Sequence, residues 1–537
     1  MVGSKHSQKG TIVVAIQRIL VTATPPTTNG DLHLGHLSGP YLGADVFTRA
    51  QRMMGNEVLF ISSTDDNQSY LMTKAMQENR PPLDVIRDYS VKIKKSLQLA
   101  QIEMDSFTSP LTDAHISRVQ KLFLELFHKG KLQVAEIATC YCETCARFLF
   151  EAYVKGECPT CGQSSGGQCC EECGHPNDPL QMKNARCTIC QSEPIVKNAE
   201  AILFPIEPYR NELETYYKEN SYKWRPHLSK FFRELLDYPV LPAFQVTNHS
   251  NWGIPVPLEG FEGQVINVWF EMLPGHMETT SVWAGRREEE VDAWWGKESS
   301  ASLVQFFGFD NSIYYTVYHT AILIAHGNYQ LADAFINNEF YLLDHLKFST
   351  SRKHAIWGSE FFNEKNSDWL RLHLCLTAPE LSQTNFSVNE FNQTLTSDAI
   401  HHWKTITKVG ISMIFQEAML EPMPSSAIKQ WLDAYEGLFL KHYSKDHFSL
   451  RGAAESLIGF LKEGADYIQN SSASDAYAIL RGLCIFSLPL TPDIGSKLLS
   501  IVYSKDGAAS WDLYPQESLC SKDYNLVAAL NSSFPEF

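Results

Sequence analysis

Two histidines in the stretch PPTTNGDLHLGH (Pro25–His36) are the first residues whose spacing suits chemistry: His33 and His36, with Gly35 between them. Three roles fit such a pair. A metal site needs a third ligand on the same face, and no nearby histidine or acid completes it convincingly. An ordinary polar helix start is the second. Phosphate contact is the third. A glycine-containing helix N-terminus presents free N–H groups and a positive dipole end. Imidazole N–H groups beside it can hold a phosphoryl oxygen in a transition state. No G-x-x-x-x-G-K-[ST] stretch occurs, so a P-loop is excluded.

Sulfur forms the second cluster. Ten of the thirteen cysteines lie within Cys140–Cys190, mostly as C-x-x-C pairs: Cys142/Cys145, Cys158/Cys161, Cys170/Cys173 and Cys187/Cys190. Two pairs supply four thiolates for one tetrahedral zinc, and four pairs suffice for two. Gly162 and Gly174 suit tight knuckles. The segment is poor in apolar residues, so bound metal would supply its folding free energy. Every ligand position can be a cysteine, which favours a structural role; a reduced or partly decayed cluster is the alternative. Cys140, Cys169, Cys375, Cys484 and Cys520 are left as core or surface thiols.

The chain has 537 residues and a formal net charge of −16, too long for one ordinary core and a poor non-specific binder of nucleic acid. Residues 1–10 read as a disordered leader. No stretch resembles a secretory signal or a membrane span, so a cytoplasmic protein is expected. The apolar run Ile12–Thr22 reads as a buried strand, residues 37–55 as a helix, and Glu57–Ser63 as a second, parallel strand ending in TDDNQ. Gly263–Leu273, Ser302–Asp310 and Ala334–Leu343 are further strand candidates. Tyr314–Gly327 reads as a helix ending at its glycine. From about Asn389, apolar residues recur at helical spacing. The expected organisation is a leader (1–10), two halves of an α/β domain (11–137 and 261–350) split by an insertion (138–260, knuckles at 138–197), a linker (351–388) and a helical domain (389–537). Ligands in such sheets bind at the carboxyl ends of the strands. Pro25–His36 and Thr64–Gln68 both lie there.

KFSTSR (Lys347–Arg352) follows the last strand candidate through a short loop. HIGH-like and KMSKS-like motifs flanking a split nucleotide-binding fold resemble those of class I aminoacyl-tRNA synthetases. The stretch from ILVTATPP to STDDNQ, the four-pair insertion, VWFEMLPG, FFGFD and the trailing helices resemble the methionyl-tRNA synthetase family specifically. The resemblance implies an α/β fold: a class I Rossmann-type parallel sheet with a zinc-knuckle insertion and a C-terminal helical bundle. It implies MgATP and an amino acid as substrates, a two-step reaction through an aminoacyl-adenylate, tRNA as acceptor, and one or two structural zinc ions. In two-zinc members the pairs nest, which would put Cys142, Cys145, Cys187 and Cys190 on one metal and Cys158, Cys161, Cys170 and Cys173 on the other. Carried over by position, His33 and His36 contact ATP phosphates, Gly35 admits the adenine, and Asp310 holds the ribose. Asn29, Ser349 and Ser351 join the ATP site. Asp65 accepts from the α-ammonium, Trp269 walls the side-chain pocket, and Lys347 stabilises pyrophosphate.

The departures fall in functional places. Where the family turn reads A-L-P-Y, this chain has Thr24, Pro25, Pro26 and Thr27; a pocket tyrosine becomes His276 and a pocket histidine becomes Tyr315. These changes imply that methionine is not the preferred amino acid. The second lysine of the KMSKS-like motif is Thr350, with Lys353 the nearest substitute. Loss of one such charge costs on the order of 10²–10³ in rate. The anticodon-reading Asn and Arg correspond to Thr405 and Val409, and residues 391–537 carry eleven basic against sixteen acidic residues, net −5. Anticodon reading is therefore expected to be lost. Three functions compete: an adenylate-forming enzyme with changed specificity and a non-standard acceptor in specialised metabolism, a working methionine–tRNA ligase, and a catalytically weak paralogue that serves as a binding or regulatory module.

Overall fold

Strand β1 (Arg18–Ala23) is buried from Ile19 onward and paired on both edges. The computed structural model describes residues 16–348, 354–395, 398–417, 420, 423–503, 511–514, 520 and 522–534. On one side β1 pairs in parallel with β2 (Glu57–Ser63), which continues to β3 (Ser106–Thr108). Between β1 and β2 run a helical turn (Leu34–His36), a wider turn (Leu37–Tyr41) and α1 (Leu42–Met53). Helices α2 (Ser69–Glu78), α3 (Pro82–Leu99) and α4 (Asp113–His128) complete this half.

The chain then leaves the sheet. The long antiparallel pair β4 (Gln133–Cys142) and β5 (Ile195–Phe204) forms a stalk that carries the cysteine segment. That segment has a small core of its own, including Leu149, Tyr153 and Val154. Helices α5 (Arg210–Asn220) and α6 (Pro226–Leu236) lead back through α7 (Val268–Trp283) to β6 (Ala301–Gly308), which pairs with the free edge of β1. After α8 (Thr320–His326), β7 (Ala334–Asn338) closes the parallel order β7-β6-β1-β2-β3. β8 (Tyr341–Leu343) starts a separate small sheet.

The C-terminal part is helical: α9 (Ser367–Leu376), α10 (Val388–Leu395), α11 (Asp398–Gln416), α12 (Ser426–His442), α13 (Leu450–Ile468), α14 (Ala473–Ser487), α15 (Pro492–Val502) and α16 (Tyr524–Asn531). Its core is continuous with the α1 face of the sheet. One buried guanidinium ties the two parts. Arg371 donates to Asp45 on α1 (2.7 Å), to Ala100 O and Gln101 O after α3, and to Pro489 O and Leu490 O after α14. Burial alone would push the Asp45 carboxyl up; the Arg49 and Arg371 charges outweigh it and hold it below the usual range.

Three strand expectations change. The first strand starts at Arg18, not Ile12, and residues 1–15 lie outside the described residues. Gly263–Leu273 is a strand only at Gln264–Ile266; the Asn267 side chain then accepts from Trp269 N–H and caps α7. This helix is buried around most of its circumference, so periodicity could not separate it from a buried strand. Ala334–Leu343 is two strands in two sheets, broken at Glu339 and Phe340.

Arg371→Met should lower stability by about 3 kcal/mol, since four carbonyls lose a charged donor while Asp45 keeps Arg49. Denaturant unfolding checks this, and an unchanged midpoint contradicts it.

Candidate functional site

The carboxyl ends of β1, β2 and β6 open into one cavity of about 410 Å³. Most of the turn from Thr24 to His36 lines it with Asp65 and Asp310, because parallel register brings those strand ends together.

At one end stand the two histidines. His33 caps the helical turn: His36 N–H donates to His33 Nδ1, and His33 N–H donates to His36 Nδ1, both at 3.3 Å. The rings stack with centroids 3.6 Å apart. With both Nδ1 atoms accepting, each neutral ring carries its proton on Nε2. The local backbone therefore sets the tautomer and leaves two Nε2–H donors. Both rings line the cavity, His33 half-buried and His36 exposed to it, with surrounding protein displacing part of their water. That desolvation pushes His33 well below its ordinary value, reinforced by His36, and His36 down to about 4. Both are neutral donors near pH 7. A Cβ on Gly35 would lie 3.0 Å from His33 Nδ1 and from the Phe348 ring, so any larger residue would press on both rings. Phe348 stacks on His33 with centroids 4.6 Å apart.

Asp310 and Lys347 form the middle. Asp310 sits in the turn Phe309–Asn311 after β6 and accepts from Asn311 Nδ2. Burial, with Glu171 nearby, pushes its carboxyl up to about 6. Lys347 Nζ lies 2.6 Å from Glu172 Oε1 and 3.8 Å from the centroid of Phe340. Asn29 also lines the cavity; Ser349, Thr350, Ser351 and Lys353 lie outside the described residues.

At the other end, Asp65 accepts from Thr27 Oγ1 (3.2 Å), and Asp65 N–H donates to Pro26 O. Burial, then the carboxylates of Glu271, Glu151 and Asp66, push Asp65 well above its ordinary value. Trp269 lies flat on Tyr314, centroids 3.7 Å apart, and its Nε1–H donates to Glu151 Oε1. Thr24, Pro25 and Thr27 line this end, but His276 and Tyr315 do not. Tyr315 lies behind it, its hydroxyl donating to Thr24 Oγ1. His276 is buried one helical turn beyond the cavity residue Met272, and neither ring nitrogen has a partner among the described residues. A helix places residues four apart on one face, so the position falls on the pocket side of α7 but deeper than expected.

Sequence reasoning missed several lining residues. Glu151 comes from FLFEAYV in the cysteine segment, where one acid inside an apolar run was the available signal. Glu171 and Gln68 carried no local signal.

The cysteine pairs nest as the resemblance implied. The Sγ atoms of Cys142, Cys145, Cys187 and Cys190 lie within 4.8 Å of one another, and so do those of Cys158, Cys161, Cys170 and Cys173. Backbone N–H groups of Cys145, Thr160 and Glu172 point at the sulfurs of Cys142, Cys158 and Cys170. Donor set and knuckle geometry fit zinc in both clusters. The remaining thiols differ in place: Cys140, Cys375 and Cys484 are buried, while Cys169 lines the cavity and directs its S–H at Asp310 O. Among the described residues no helix is long and apolar enough to cross a membrane.

The family model for class I tRNA synthetases of the M group matches residues 19–408. The methionine–tRNA ligase of Picrophilus torridus is 32% identical over 388 residues, covering 72% of this chain and 56% of that protein. That of Christiangramia forsetii is 29% identical over 527 residues, covering 93% and 76%. This chain thus spans a little over half the length of several curated relatives, including that of Methanobrevibacter smithii at 56%. A crystal structure of Mycobacterium tuberculosis methionyl-tRNA synthetase bound by methionyl-adenylate superposes with a TM-score of 0.72 at 15% identity, covering 94% of this chain and 98% of that one. The likeness shows a shared fold.

Metal analysis of purified protein should find zinc lost from one cluster in Cys142→Ser and from the other in Cys158→Ser. Each loss should lower the thermal midpoint, and chelation should do the same to the wild type. Equal midpoints with and without chelator contradict a structural role.

Proposed function

The chain belongs to the methionyl-type class I tRNA synthetase family, and from that premise we propose that it activates an amino acid with ATP and transfers it to an acceptor. One observation carries the reading. A single cavity joins the stacked histidines with their outward Nε2–H groups, the Asp310 carboxyl and the Asp65 carboxyl. In the first step a carboxylate oxygen of the amino acid attacks the α-phosphorus of MgATP. The new P–O bond forms as the bond to pyrophosphate breaks, and pyrophosphate leaves with the electron pair. His33 and His36 donate to phosphoryl oxygens as charge builds there. Lys347 neutralises the leaving pyrophosphate once ATP draws it from Glu172. Asp310 accepts from the ribose, and Asp65 from the α-ammonium. The acyl group then passes to a hydroxyl of the acceptor and releases AMP. The four cysteines of each cluster would hold a zinc ion that cross-links the knuckles.

The side-chain subsite supports altered specificity. Pro25 and Thr27 line the cavity where the family has Leu and Tyr, while His276 and Tyr315 stand behind its wall. The acceptor is the second departure. Thr405 spends its hydroxyl on His401 O within α11, and Val409 packs against the core, so neither suits anticodon reading. A working methionine–tRNA ligase is the competing reading, favoured by the relatives' activity. Residues 1–10 as a leader, 351–388 as a linker and 389–537 as a helical domain complete the proposed organisation, in a cytoplasmic protein.

Amino-acid-dependent ATP–pyrophosphate exchange across the proteinogenic amino acids tests these readings. Exchange led by an amino acid other than methionine is expected; exchange led by methionine overturns the altered specificity. Charging of total tRNA then separates a ligase from an activator with another acceptor. His36→Ala should cut exchange by about 10²–10³, and unchanged turnover contradicts the phosphate assignment. KM for ATP should rise as pH falls below about 6, where Asp310 gains a proton and ceases to accept. Asp310→Asn should flatten that dependence. The two histidines stay neutral through this window and add nothing to it.

A further inference from the structure

Among the described residues that line the cavity, Lys347 is the only lysine or arginine, while Asp31, Asp65, Glu151, Glu171, Asp310 and Glu339 all carry carboxyl groups. A triphosphate brings further negative charge, so the placing of this one ammonium bears directly on nucleotide binding. Its charge acts on the carboxyls of Asp310 and Glu339. Its contacts, however, tie it to the cysteine insertion. Nζ lies 2.6 Å from Glu172 Oε1, donates to Glu171 O at 3.5 Å, and sits 3.8 Å from the centroid of the Phe340 ring. Both backbones are anchored. Glu172 lies between the cluster cysteines Cys170 and Cys173, and its N–H donates to Cys170 Sγ. Lys347 belongs to the short strand Leu346–Lys347, which pairs with β8, and the next ring, Phe348, stacks on His33. The lysine stem is therefore the part free to swing. The two side chains are 27% and 32% exposed, and an ion pair this open to water is weak enough to be exchanged.

We propose that Glu172 is a positioning residue that competes with the nucleotide for Lys347 and so sets the affinity of the site for ATP and pyrophosphate. The latch rests on the reading of Lys347 as the pyrophosphate-binding lysine and deepens it. With the site empty, Glu172 and Phe340 hold the ammonium against the insertion. MgATP offers it phosphoryl oxygens, and Nζ swings from Glu172 Oε1 to them. The binding-competent position is populated only part of the time, so the apparent affinity for ATP falls by that fraction. The exchange is complete before the chemical step. Glu172 thus affects the ATP complex and the transition state alike, which changes KM and leaves kcat as it is. Pyrophosphate engages the same ammonium, and the return of Lys347 to Glu172 favours its release. The insertion thereby takes part in the nucleotide cycle through one carboxylate on its inner knuckle.

The test measures MgATP binding by titration calorimetry, without amino acid, in wild type, Glu172→Gln, Lys347→Met and the double variant. Glu172→Gln keeps the side-chain shape and removes its charge. It should lower Kd for MgATP by about threefold to tenfold, the worth of a partly exposed ion pair backed by a ring contact. In pyrophosphate exchange, KM for ATP and for pyrophosphate should fall with it, while kcat and KM for the amino acid stay at the wild-type values. Lys347→Met should weaken MgATP binding, and in that background Glu172→Gln should change nothing. A gain in affinity that persists in the Lys347→Met background shows plain repulsion between Glu172 and phosphate and overturns the latch. An unchanged or raised Kd in Glu172→Gln overturns it too, and leaves amino-acid activation standing. MgATP binding that Lys347→Met does not weaken overturns the reading of Lys347 itself. A damaged fold cannot imitate the expected result, since damage would weaken binding. If the thermal midpoint of Glu172→Gln departs from wild type, Glu172→Ala, which keeps the backbone N–H to Cys170, decides by the same comparison.

Discussion

The parallel pairing of β1 with β2 on one edge and β6 on the other is the constraint on which the site depends. Parallel strands cannot be joined by tight turns, so every connection is a long excursion that returns. Register then does the positioning. Thr22 pairs with both Ile61 and Gln305, and from that level the three strands end within two residues of one another, at Ala23, Ser63 and Gly308. Just past those ends, Thr24 N–H donates to Phe306 O, and Asp65 N–H donates to Pro26 O. The cavity is the space that the neighbouring ends of these three strands leave open. Its acids and histidines meet there although hundreds of residues separate them in the chain.

The cysteine insertion is not remote from this chemistry. Its stalk and knuckles fold back so that Glu151, Cys169 and Glu171 line the same cavity. Glu172 lies between the cysteine ligands Cys170 and Cys173 and pairs with Lys347, while Tyr70 OH donates to Glu171. A segment with almost no apolar core needs cross-links to hold such contacts, and two four-sulfur clusters are suited to supply them. The insertion thereby acts as one wall of the site. At the opposite face, Arg371 joins α1 to the ends of the C-terminal helices, so the helical part bears directly on the strand–helix unit that carries the histidines.

Legibility followed from how local each signal is. The strand Glu57–Ser63 and the helix ending at Gly327 rest on short-range spacing or a glycine stop, the nesting of the cysteine pairs on the family resemblance, and the structure agrees with each. Errors arose where burial erased periodicity. α7 is apolar nearly all round, and Ala334–Leu343 is apolar enough to read as one strand although its halves join different sheets. In the cavity, the residues in the HIGH-like turn and at the strand ends were found because such positions have a topological meaning. Glu151 and Gln68 were not found, because their meaning comes only from what stands opposite them.

The sequence by itself determined the opening strand–helix–strand unit, the cysteine pairs and the family resemblance, since these depend on residue types at fixed spacing. It also showed that Pro25, Thr27, His276 and Tyr315 depart from the family. Only the tertiary structure decided how deep each of them sits. Pro25 and Thr27 touch the cavity, while Tyr315 and His276 stand behind its wall. It alone showed that Glu151, Gln68 and Glu171 border the same cavity as Asp65. The reason is physical: which side chains face one another across a cavity is fixed by segments far apart in the chain, and no stretch of sequence contains both sides.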